Sequence, residues 1–374
     1  MNRVCRFAAL GATLVALVAF LTFSPVRGGS GRAEDRPASA AERSFAEQQE
    51  RHRFADRPLL TYRTPEGDLL FALQVRPTLP DPPPLPTDYL VVVDTSAGMA
   101  GGGLTEAVDV LQALANRIHQ HNRGDRVAVW TANLTSRDLT RGFQAGAKVD
   151  EAVRQLANEV PLGAVDLPRS LGDAVASFEA GADRRRVVVY LGDGRSVARP
   201  LDDDARAALC EAMNRKHAPF VAVPLGGAFD PVNLHALVAG TGGCAVRFRG
   251  DDTPVIVAER LRKQAAEPVL YPETFRLPAG VTVALPTRLP PLRRDTATLV
   301  VGRLAAGTAA LDYQIRGDCQ GKTIQHQASL KVPAGDPENH FLAGVYEQWK
   351  ERKDRPGAVA SRASCWPTPT GSSS

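Results

Sequence analysis

The stretch VVVDTSAGMAGGGL, residues 91–104, joins an apolar strand to an amphipathic helix through a polar turn. Val91 to Val93 favour a buried strand, and the small and polar residues that follow Asp94 favour a turn. In open α/β sheets, ligands bind in the turns that follow the carboxyl ends of the strands. The stretch therefore predicts a ligand-binding turn, which would hold a phosphate, a metal ion or neither.

Strands and helices alternate from Asp88 onwards. Continuous apolar runs are typical of strands in a sheet that is covered on both faces, and segments with helical spacing separate these runs. The pattern predicts an α/β domain with a doubly wound, mostly parallel sheet over residues 88–267. The predicted strands lie within residues 89–93, 125–133, 185–194, 218–226 and 244–248.

The segments on both sides of this domain have the short, alternating pattern of antiparallel strands. Residues 59–76 predict a β hairpin around a Pro-Glu-Gly turn, and residues 268–335 predict further strands separated by Gly or Pro. Together they predict a small antiparallel β module into which the α/β domain is inserted. A helix is predicted over 338–353, followed by a disordered tail over 354–374.

The N-terminus has the pattern of an export signal. Arg3 and Arg6 precede an apolar run over residues 7–23, and residues 1–28 predict a signal peptide or an uncleaved N-terminal anchor. Residues 29–57 predict a flexible tether. Both alternatives place the rest of the chain outside the cytoplasm, as a periplasmic, cell-surface or secreted protein, tethered to the membrane by residues 7–23 if the run is kept.

The charge balance does not favour nucleic-acid binding. The chain has 45 Lys and Arg residues against 41 Asp and Glu. The first 28 residues hold Arg3, Arg6 and Arg27 and no acid, so the remainder is close to neutral. No basic stripe with interleaved aromatic residues is present in the sequence, and we expect no nucleic-acid partner.

Four cysteines follow the export signal: Cys210, Cys244, Cys319 and Cys365. None forms the C-x-x-C spacing of a zinc or redox site. Outside the cytoplasm they could form disulfides, with Cys210 and Cys244 as a candidate pair, or remain buried as small apolar side chains.

A phosphate site at the opening turn is not favoured. Residues 98–103 are rich in glycine, but no Lys-Ser or Lys-Thr follows them, as a P-loop requires. A dinucleotide-binding fold would place an acidic residue near Asn133, after the second strand. The glycines are better explained as a permissive turn.

A metal ion suits the same turn better. Asp94 ends the first strand of the α/β domain and Ser96 follows it, while Asp193 ends a later strand in the same way. Because the carboxyl ends of parallel strands meet at one edge of the sheet, these oxygens should lie close together. Two carboxylates and a hydroxyl are ligands that Mg²⁺ accepts, with waters completing the octahedron.

Each of these residues also has a structural interpretation. Asp94 could cap the helix that begins near Leu104 or bind turn amides, and Ser96 could be only a turn residue. Asp166 could be a water-mediated ligand, but its position before Pro168 favours a helix cap.

Three other polar residues resemble a cluster in sequence. His119, His121 and Asp125 lie close together, but two histidines two positions apart cannot share one face of a helix. Their position near the end of a predicted helix is favourable for the helix dipole.

The turn resembles the metal-ion-dependent adhesion site of von Willebrand factor type A domains. In that family a D-x-S-x-S turn, a Thr in a T-D-L loop and an Asp in a later D-G turn surround the ion. Asp94, Ser96 and Asp193 match the pattern in this sequence, whereas Gly98 stands where the second Ser belongs and Val165 where the Thr belongs. The resemblance implies a degenerate site that binds Mg²⁺ weakly.

The resemblance covers roughly residues 88–267. Residues 285–317 are similar to the segment that follows this domain in inter-alpha-trypsin inhibitor heavy chains and in their exported bacterial, planctomycete-type relatives. The resemblance implies a protein-binding, adhesion-type module, whose unknown protein partner binds at the face around Asp94, Ser96 and Asp193. We call this face the metal-edge face.

Two other functions are consistent with the same residues. A scaffold protein would keep the fold without a metal ion. A hydrolase would use Asp94 and Asp193 with a metal-activated water, but the sequence offers no general base and no third strong ligand. We therefore expect no enzymatic activity.

Overall fold

The computed structural model describes residues 57–81, 85–121, 124–179, 181 and 183–352. The predicted signal or anchor, nearly all of the predicted tether and the predicted C-terminal tail lie outside the described residues. Within the described ranges, no helix combines the length and the apolar character needed to cross a membrane.

The strands and helices follow the predicted alternation. The strands are, in chain order, β1 (Leu59–Arg63), β2 (Leu69–Val75), β3 (Thr87–Asp94), β4 (Arg126–Ala132), β5 (Arg137–Asp138), β6 (Gln144–Ala145), β7 (Arg185–Gly192), β8 (Phe220–Pro224), β9 (Cys244–Ala245), β10 (Val269–Arg276), β11 (Val281–Leu285), β12 (Leu292–Arg293), β13 (Thr298–Leu304), β14 (Ala310–Cys319) and β15 (Lys322–Lys331). The helices are α1 (Gly103–His121), α2 (Asp150–Ala157), α3 (Leu167–Ala176), α4 (Asp203–Arg215), α5 (Pro231–Thr241), α6 (Pro254–Ala266) and α7 (Phe341–Arg352).

The sheet of the α/β domain has the strand order β5-β4-β3-β7-β8-β9, and β6 also pairs with β4. β4, β3, β7, β8 and β9 are parallel, and the short strands β5 and β6 run antiparallel to β4. The chain therefore leaves β3 for β4 on one side and later returns to β7 on the other. The strand order reverses at the β3–β7 pair, which makes this pair a topological switch point.

Both faces of this sheet are covered, as the apolar strands predict. α1 packs on one face, where Leu111 and Leu114 contact strand residues such as Val91. α3, α4 and α5 contribute to the core on the other face, which contains Leu171 and Tyr190. Helices on both faces explain why β3 and β7 show no apolar–polar alternation.

The β module is built from two four-stranded antiparallel sheets with the orders β1-β2-β13-β11 and β12-β10-β14-β15. The N-terminal hairpin joins the first sheet because β2 pairs with β13 over its whole length. Side chains of the two sheets, among them Phe71, Leu73, Leu311 and Ile315, form a shared core. The α/β domain is thus inserted into the β module, as the sequence predicts.

The C-terminal helix covers the outer face of the first sheet. A 3₁₀ turn over Pro337–His340 leads into α7. Leu342, Tyr346 and Trp349 of α7 pack on Leu60 and neighbouring residues of the sheet. The helix therefore completes the module by covering apolar surface on β1, β2 and β13.

Partly buried polar contacts lie where the chain crosses from the α/β domain back to the β module. Arg293 of β12 donates to the side chain of Gln264 on α6, with 2.6 Å between Nη2 and Oε1. Arg185 of β7 donates to the carbonyl oxygen of Ala266 at 2.8 Å. Both bonds lie beside the second crossing: the Arg293 bond holds α6 against the module, and the Arg185 bond holds the end of α6 against β7 of its own domain.

One prediction about cysteines is wrong, and one predicted strand is shorter than expected. Cys210 and Cys244 are free and do not form a disulfide. Cys210 lies in the core on one face of the sheet and Cys244 packs against the core on the other face, so the sheet separates them. The strand predicted over 244–248 is present but only two residues long, since only Cys244 and Ala245 pair with β8.

Candidate functional site

The switch point brings Asp94 and Asp193 together. β3 and β7 pair in register, with Val93 opposite Leu191, so Asp94 and Asp193 leave neighbouring strands at the same edge. Both residues are buried, at 0 % and 1 % exposure. Ser96, the third predicted ligand, is also buried and lies beside Asp94. The structure therefore places all three predicted site residues in one cluster.

Both oxygens of Asp94 accept hydrogen bonds from the protein. The backbone N–H of Ser96 donates to Oδ1 at 2.8 Å, and the hydroxyl of Tyr190 donates to Oδ2 at 2.8 Å. The N–H of Gly194 in turn donates to the Tyr190 hydroxyl oxygen at 3.1 Å. Asp94 thus binds a turn amide, which was one of the two structural interpretations of this residue, and it does not cap α1.

Tyr190 is the site residue that the sequence analysis missed. It lies within the apolar run of β7, three residues before Asp193, and is fully buried. Its ring belongs to the core beneath the sheet, and its hydroxyl reaches the strand end. The available signal was a single tyrosine within an apolar run of β7, since a buried tyrosine hydroxyl usually finds a partner.

Burial dominates the electrostatics of the cluster. The pKa of Asp94 is raised from 3.8 to about 6, first by burial and then by the nearby charge of Asp193, while the hydrogen bonds from Ser96 and Tyr190 lower it. Burial also raises the pKa of Asp193, which the N–H and the side chain of Arg195 partly offset. The pKa of Tyr190 is raised well above its ordinary value, again by burial first, so its hydroxyl stays a donor.

Gly98 stands where the family pattern has a second serine, and the carboxylate of Asp193 takes up its side-chain space. A Cβ at Gly98 would lie 3.1 Å from Cγ of Asp193 and still closer to its Oδ2. Since such a separation is too short for real atoms, a side chain at position 98 requires Asp193 to move. Gly98 and the conformation of Asp193 are therefore fitted to each other.

Val165 stands where the family pattern has a threonine, and it belongs to the core. It is 1 % exposed and packs in the same apolar cluster as Leu167 and Leu171. A valine here contributes apolar burial and no oxygen. The two departures that the sequence shows at this site are therefore both supported by local packing.

The oxygen atoms of Asp94, Ser96 and Asp193 are of the chemical type that binds a hard divalent cation. Two carboxyl groups and one hydroxyl are oxygen ligands of the type that Mg²⁺ takes. Within the described part of the chain, however, no set of three or more Asp, Glu, His or Cys residues is arranged to hold a metal ion. The residues that would hold the ion are Asp94, Ser96 and Asp193, and the Tyr190 hydroxyl engages one of the Asp94 oxygens.

Asp166 is a helix cap, as its position before Pro168 predicts. Its Oδ1 accepts the N–H of Arg169 at 3.0 Å at the start of α3. The same oxygen accepts Nη2 of Arg199 at 2.8 Å. Asp166 therefore caps α3 and, through Arg199, binds the loop that follows Asp193.

The histidine group lies elsewhere. His119 and His121 are in the last turn of α1, and Nδ1 of His121 lies 2.8 Å from the carbonyl oxygen of Arg117. Asp125 accepts the N–H of Thr87 at 2.6 Å, at the amino end of β3. Because this is the opposite edge of the sheet, these residues take no part in the site.

Three loops are tied to the site by backbone hydrogen bonds. The N–H of Leu162 donates to the carbonyl oxygen of Thr95 at 3.2 Å, and that of Asp230 donates to the carbonyl oxygen of Asp193 at 2.6 Å. The side-chain amide of Asn133 donates to the carbonyl oxygens of Thr95 and Leu162, at 3.1 and 3.0 Å. The loops after β4, α2 and β8 therefore surround the metal-edge face.

Exposed apolar side chains concentrate on these loops. Among the described residues, the large apolar side chains that are exposed all lie in segments that follow the carboxyl ends of the sheet strands or adjoin the site turn. We call this set the apolar rim. It consists of Leu134, Val160, Leu162, Val197, Phe229, Val232, Val255 and Ile256. Exposed apolar side chains that gather around one face are a common feature of interaction sites in soluble proteins.

Comparisons with known proteins agree with this geometry. The family model of the von Willebrand factor type A domain matches residues 88–246. No curated protein matches the sequence. A solved von Willebrand factor type A protein from Catenulispora acidiphila is similar at 14 % identity, with a TM-score of 0.52 over 75 % of this chain and 74 % of that chain. At this identity the likeness shows a shared fold.

Two further solved structures are similar over comparable parts of this chain. The ArnB paralog VWA2 from Sulfolobus acidocaldarius has 14 % identity and a TM-score of 0.42 over 76 % of this chain and 77 % of that chain. The human COPII-coat protein Sec24c has 11 % identity and a TM-score of 0.47 over 76 % of this chain and 50 % of that chain.

A double-mutant cycle tests the fit between Gly98 and Asp193. Gly98→Ala should destabilise the protein by about 1 to 3 kcal/mol, because the added Cβ forces the Asp193 carboxylate out of its place. In an Asp193→Ala background the same change should cost less than half as much. Chemical denaturation of the four proteins measures the coupling, and equal costs in both backgrounds would contradict the fit.

The raised pKa of Asp94 predicts a pH-dependent stability. The folded chain binds this proton more tightly than the unfolded chain, so the contribution is complete below about pH 4 and is lost as the pH rises through about 6. Relative to Asp94→Asn, the wild type should lose about 2 to 3 kcal/mol of unfolding free energy between pH 4 and pH 7. Denaturation curves of both proteins across this range measure the difference, and parallel pH profiles would rule the prediction out.

Proposed function

Residues 88–246 of this chain form a von Willebrand factor type A domain, and we propose that this domain is an extracytoplasmic protein-binding module that binds its partner at the metal-edge face. Domains of this family generally mediate protein–protein interactions. The observation that carries the proposal for this chain is the apolar rim, whose residues lie in loops and at the starts of helices that follow the carboxyl ends of the sheet strands or adjoin the site turn. A partner that covered these side chains would remove apolar surface from water, which favours association at this face.

The metal ion has a minor part in this proposal. Mg²⁺ would be held weakly by Asp94, Ser96 and Asp193, and when bound it would supply a positive centre for an acidic group of the partner. Gly98 and Val165 offer no side-chain oxygen to complete the ligand shell. Burial of both carboxyl groups also favours their protonated forms, with which a cation must compete.

We propose binding rather than hydrolysis because the two carboxyl groups of the site are buried. Asp94 and Asp193 are almost completely buried, and Asp94 already accepts bonds from Ser96 and Tyr190. Carboxylates that activate water for attack on a substrate must reach the substrate. The apolar rim, in contrast, is directly available to a partner.

The proposed location rests on the N-terminal sequence. The charged start and the apolar run over residues 7–23 have the pattern of a signal peptide or an anchor. The similarity of residues 285–317 to inter-alpha-trypsin inhibitor heavy chains stays a prediction. A metal-free scaffold protein remains the alternative function, and it would not use the metal-edge face.

Weak Mg²⁺ binding can be measured by protein stability. If the dissociation constant is about 10 mM, then 10 mM MgCl₂ should raise the free energy of unfolding by only about 0.4 kcal/mol. Asp94→Asn should remove this gain, because the amide cannot supply a charged ligand. Denaturation with and without MgCl₂, at matched ionic strength, gives the values. Calorimetry that showed micromolar binding by the wild type would refute the weak site.

Affinity capture tests the binding proposal. The full-length chain is immobilised and exposed to envelope extract from the source organism, and retained proteins are quantified by mass spectrometry. Leu162→Asp and Phe229→Asp, which place charges on the apolar rim, should each lose the retained partner. Thr323→Asp, an exposed change on the distant strand β15, should retain it.

Parallel captures in Mg²⁺ and in EDTA assign the role of the ion. Loss of the partner in EDTA would mean that the metal ion takes part, and retention would mean that the apolar rim is sufficient. An identical set of retained proteins for wild type, Leu162→Asp and Phe229→Asp would contradict binding at the metal-edge face and favour the scaffold.

A further inference from the structure

A groove lies beside the site turn, between the first half of α1 and the end of α2. Its volume is about 390 Å³, which is within the range of pockets that hold ligands or anchoring side chains. It is lined by Met99, Gly101, Gly102, Leu104, Thr105, Val108, Asp109, Leu156, Ala157, Glu159 and Pro161. Met99 ends the 3₁₀ turn that follows Ser96, so the groove begins where the site turn ends.

The floor of the groove is apolar. Leu104, Val108 and Leu156 line it, and each is less than 9 % exposed. One wall has no side chains because it is formed by Gly101 and Gly102, and the space beside both is open, since a Cβ at either would meet nothing within 4 Å. An apolar side chain of a partner can therefore reach the floor without moving the protein.

The mouth of the groove carries negative charge. Asp109 is exposed on α1, and Glu159 lies across from it, at the end of α2. Glu159 pairs with Arg137 at 2.6 Å, whereas Asp109 makes no ion pair within the part of the chain that the structure describes. Because Arg137 compensates Glu159 and no Lys, Arg or His lines the groove, the remaining negative charge at the mouth is that of Asp109, which is complementary to one cationic group.

The groove is continuous with the apolar rim. Pro161 lines it, and the neighbours of Pro161 in sequence, Val160 and Leu162, are 66 % and 65 % exposed. An occupant of the groove would thus extend onto the metal-edge face. This continuity points to a protein segment, which covers both surfaces, rather than a small molecule that fills the groove alone.

We propose that the groove is the anchoring pocket for the partner: a protein segment inserts one large apolar side chain between Leu104, Val108 and Leu156, and a Lys or Arg of the same segment pairs with Asp109. The proposal rests on the proposed function, because it specifies what binds at and beside the metal-edge face. The buried apolar anchor supplies affinity, and the charge pair selects the segment and its orientation.

A peptide selection tests the proposal without a known partner. A phage library of random dodecapeptides is selected on the full-length chain, and enriched peptides are synthesised and their affinities measured by fluorescence polarisation. The enriched sequences should combine Leu, Phe or Trp with a nearby Lys or Arg. Ala157→Trp, which fills the groove from the end of α2, should lower their affinity at least about tenfold.

Matched controls separate the groove from general effects on the domain. Ala176→Trp makes the same change at the exposed end of α3, and it should leave affinity unchanged. Asp109→Lys should weaken binding about tenfold, and replacing the basic residue of the peptide by Glu should restore binding to this variant. Asp183→Lys, in the exposed turn before β7, should have no effect.

Three results would overturn the proposal. The first is failure to enrich any peptide, and the second is enrichment of peptides without a basic residue. The third is binding that Leu162→Asp abolishes but that Ala157→Trp and Asp109→Lys leave intact. In the third case the metal-edge face would still be the binding surface, so failure of the groove is distinguishable from failure of the proposed function.

Discussion

The parallel pairing of β3 with β7 is the constraint on which the site depends. It brings two carboxyl groups, Asp94 and Asp193, to the same edge of a sheet that helices cover on both faces. Buried carboxyl groups are costly unless hydrogen bonds, protons or cations compensate them. The surrounding residues are arranged to satisfy this requirement, and the character of the site follows from how they do so.

Hydrogen bonds within the protein compensate most of the cost of burying these two carboxyl groups. Ser96 and Tyr190 donate to Asp94, and the backbone N–H of Arg195 donates to Asp193 at 2.8 Å. Because Gly98 has no side chain, the Asp193 carboxylate can occupy the space beside the turn. A site that satisfies its own carboxyl groups depends less on a metal ion. This explains how the fold can keep the two aspartates while it lacks two of the hydroxyls of its family.

The surface around the site is apolar, whereas the centre of the site is acidic. The aspartates are buried, whereas the loops that surround them expose large apolar side chains. The groove between α1 and α2 extends this apolar surface and ends at the carboxylates of Asp109 and Glu159. Affinity at such a face comes mainly from apolar burial, and charge contributes mainly to selectivity.

The sequence by itself determined the fold class and predicted that Asp94, Ser96 and Asp193 lie together, because apolar periodicity and Asp at strand ends are local signals. It also located Gly98 and Val165 as departures from the family pattern. Only the tertiary structure showed that Tyr190 donates to Asp94 and that Asp193 fills the space at Gly98, since these contacts join residues about 95 positions apart. It also separated Cys210 from Cys244 by placing them on opposite faces of the sheet, and it gathered the apolar rim from separate loops. Such contacts depend on how strands pair and helices pack, which no local pattern encodes.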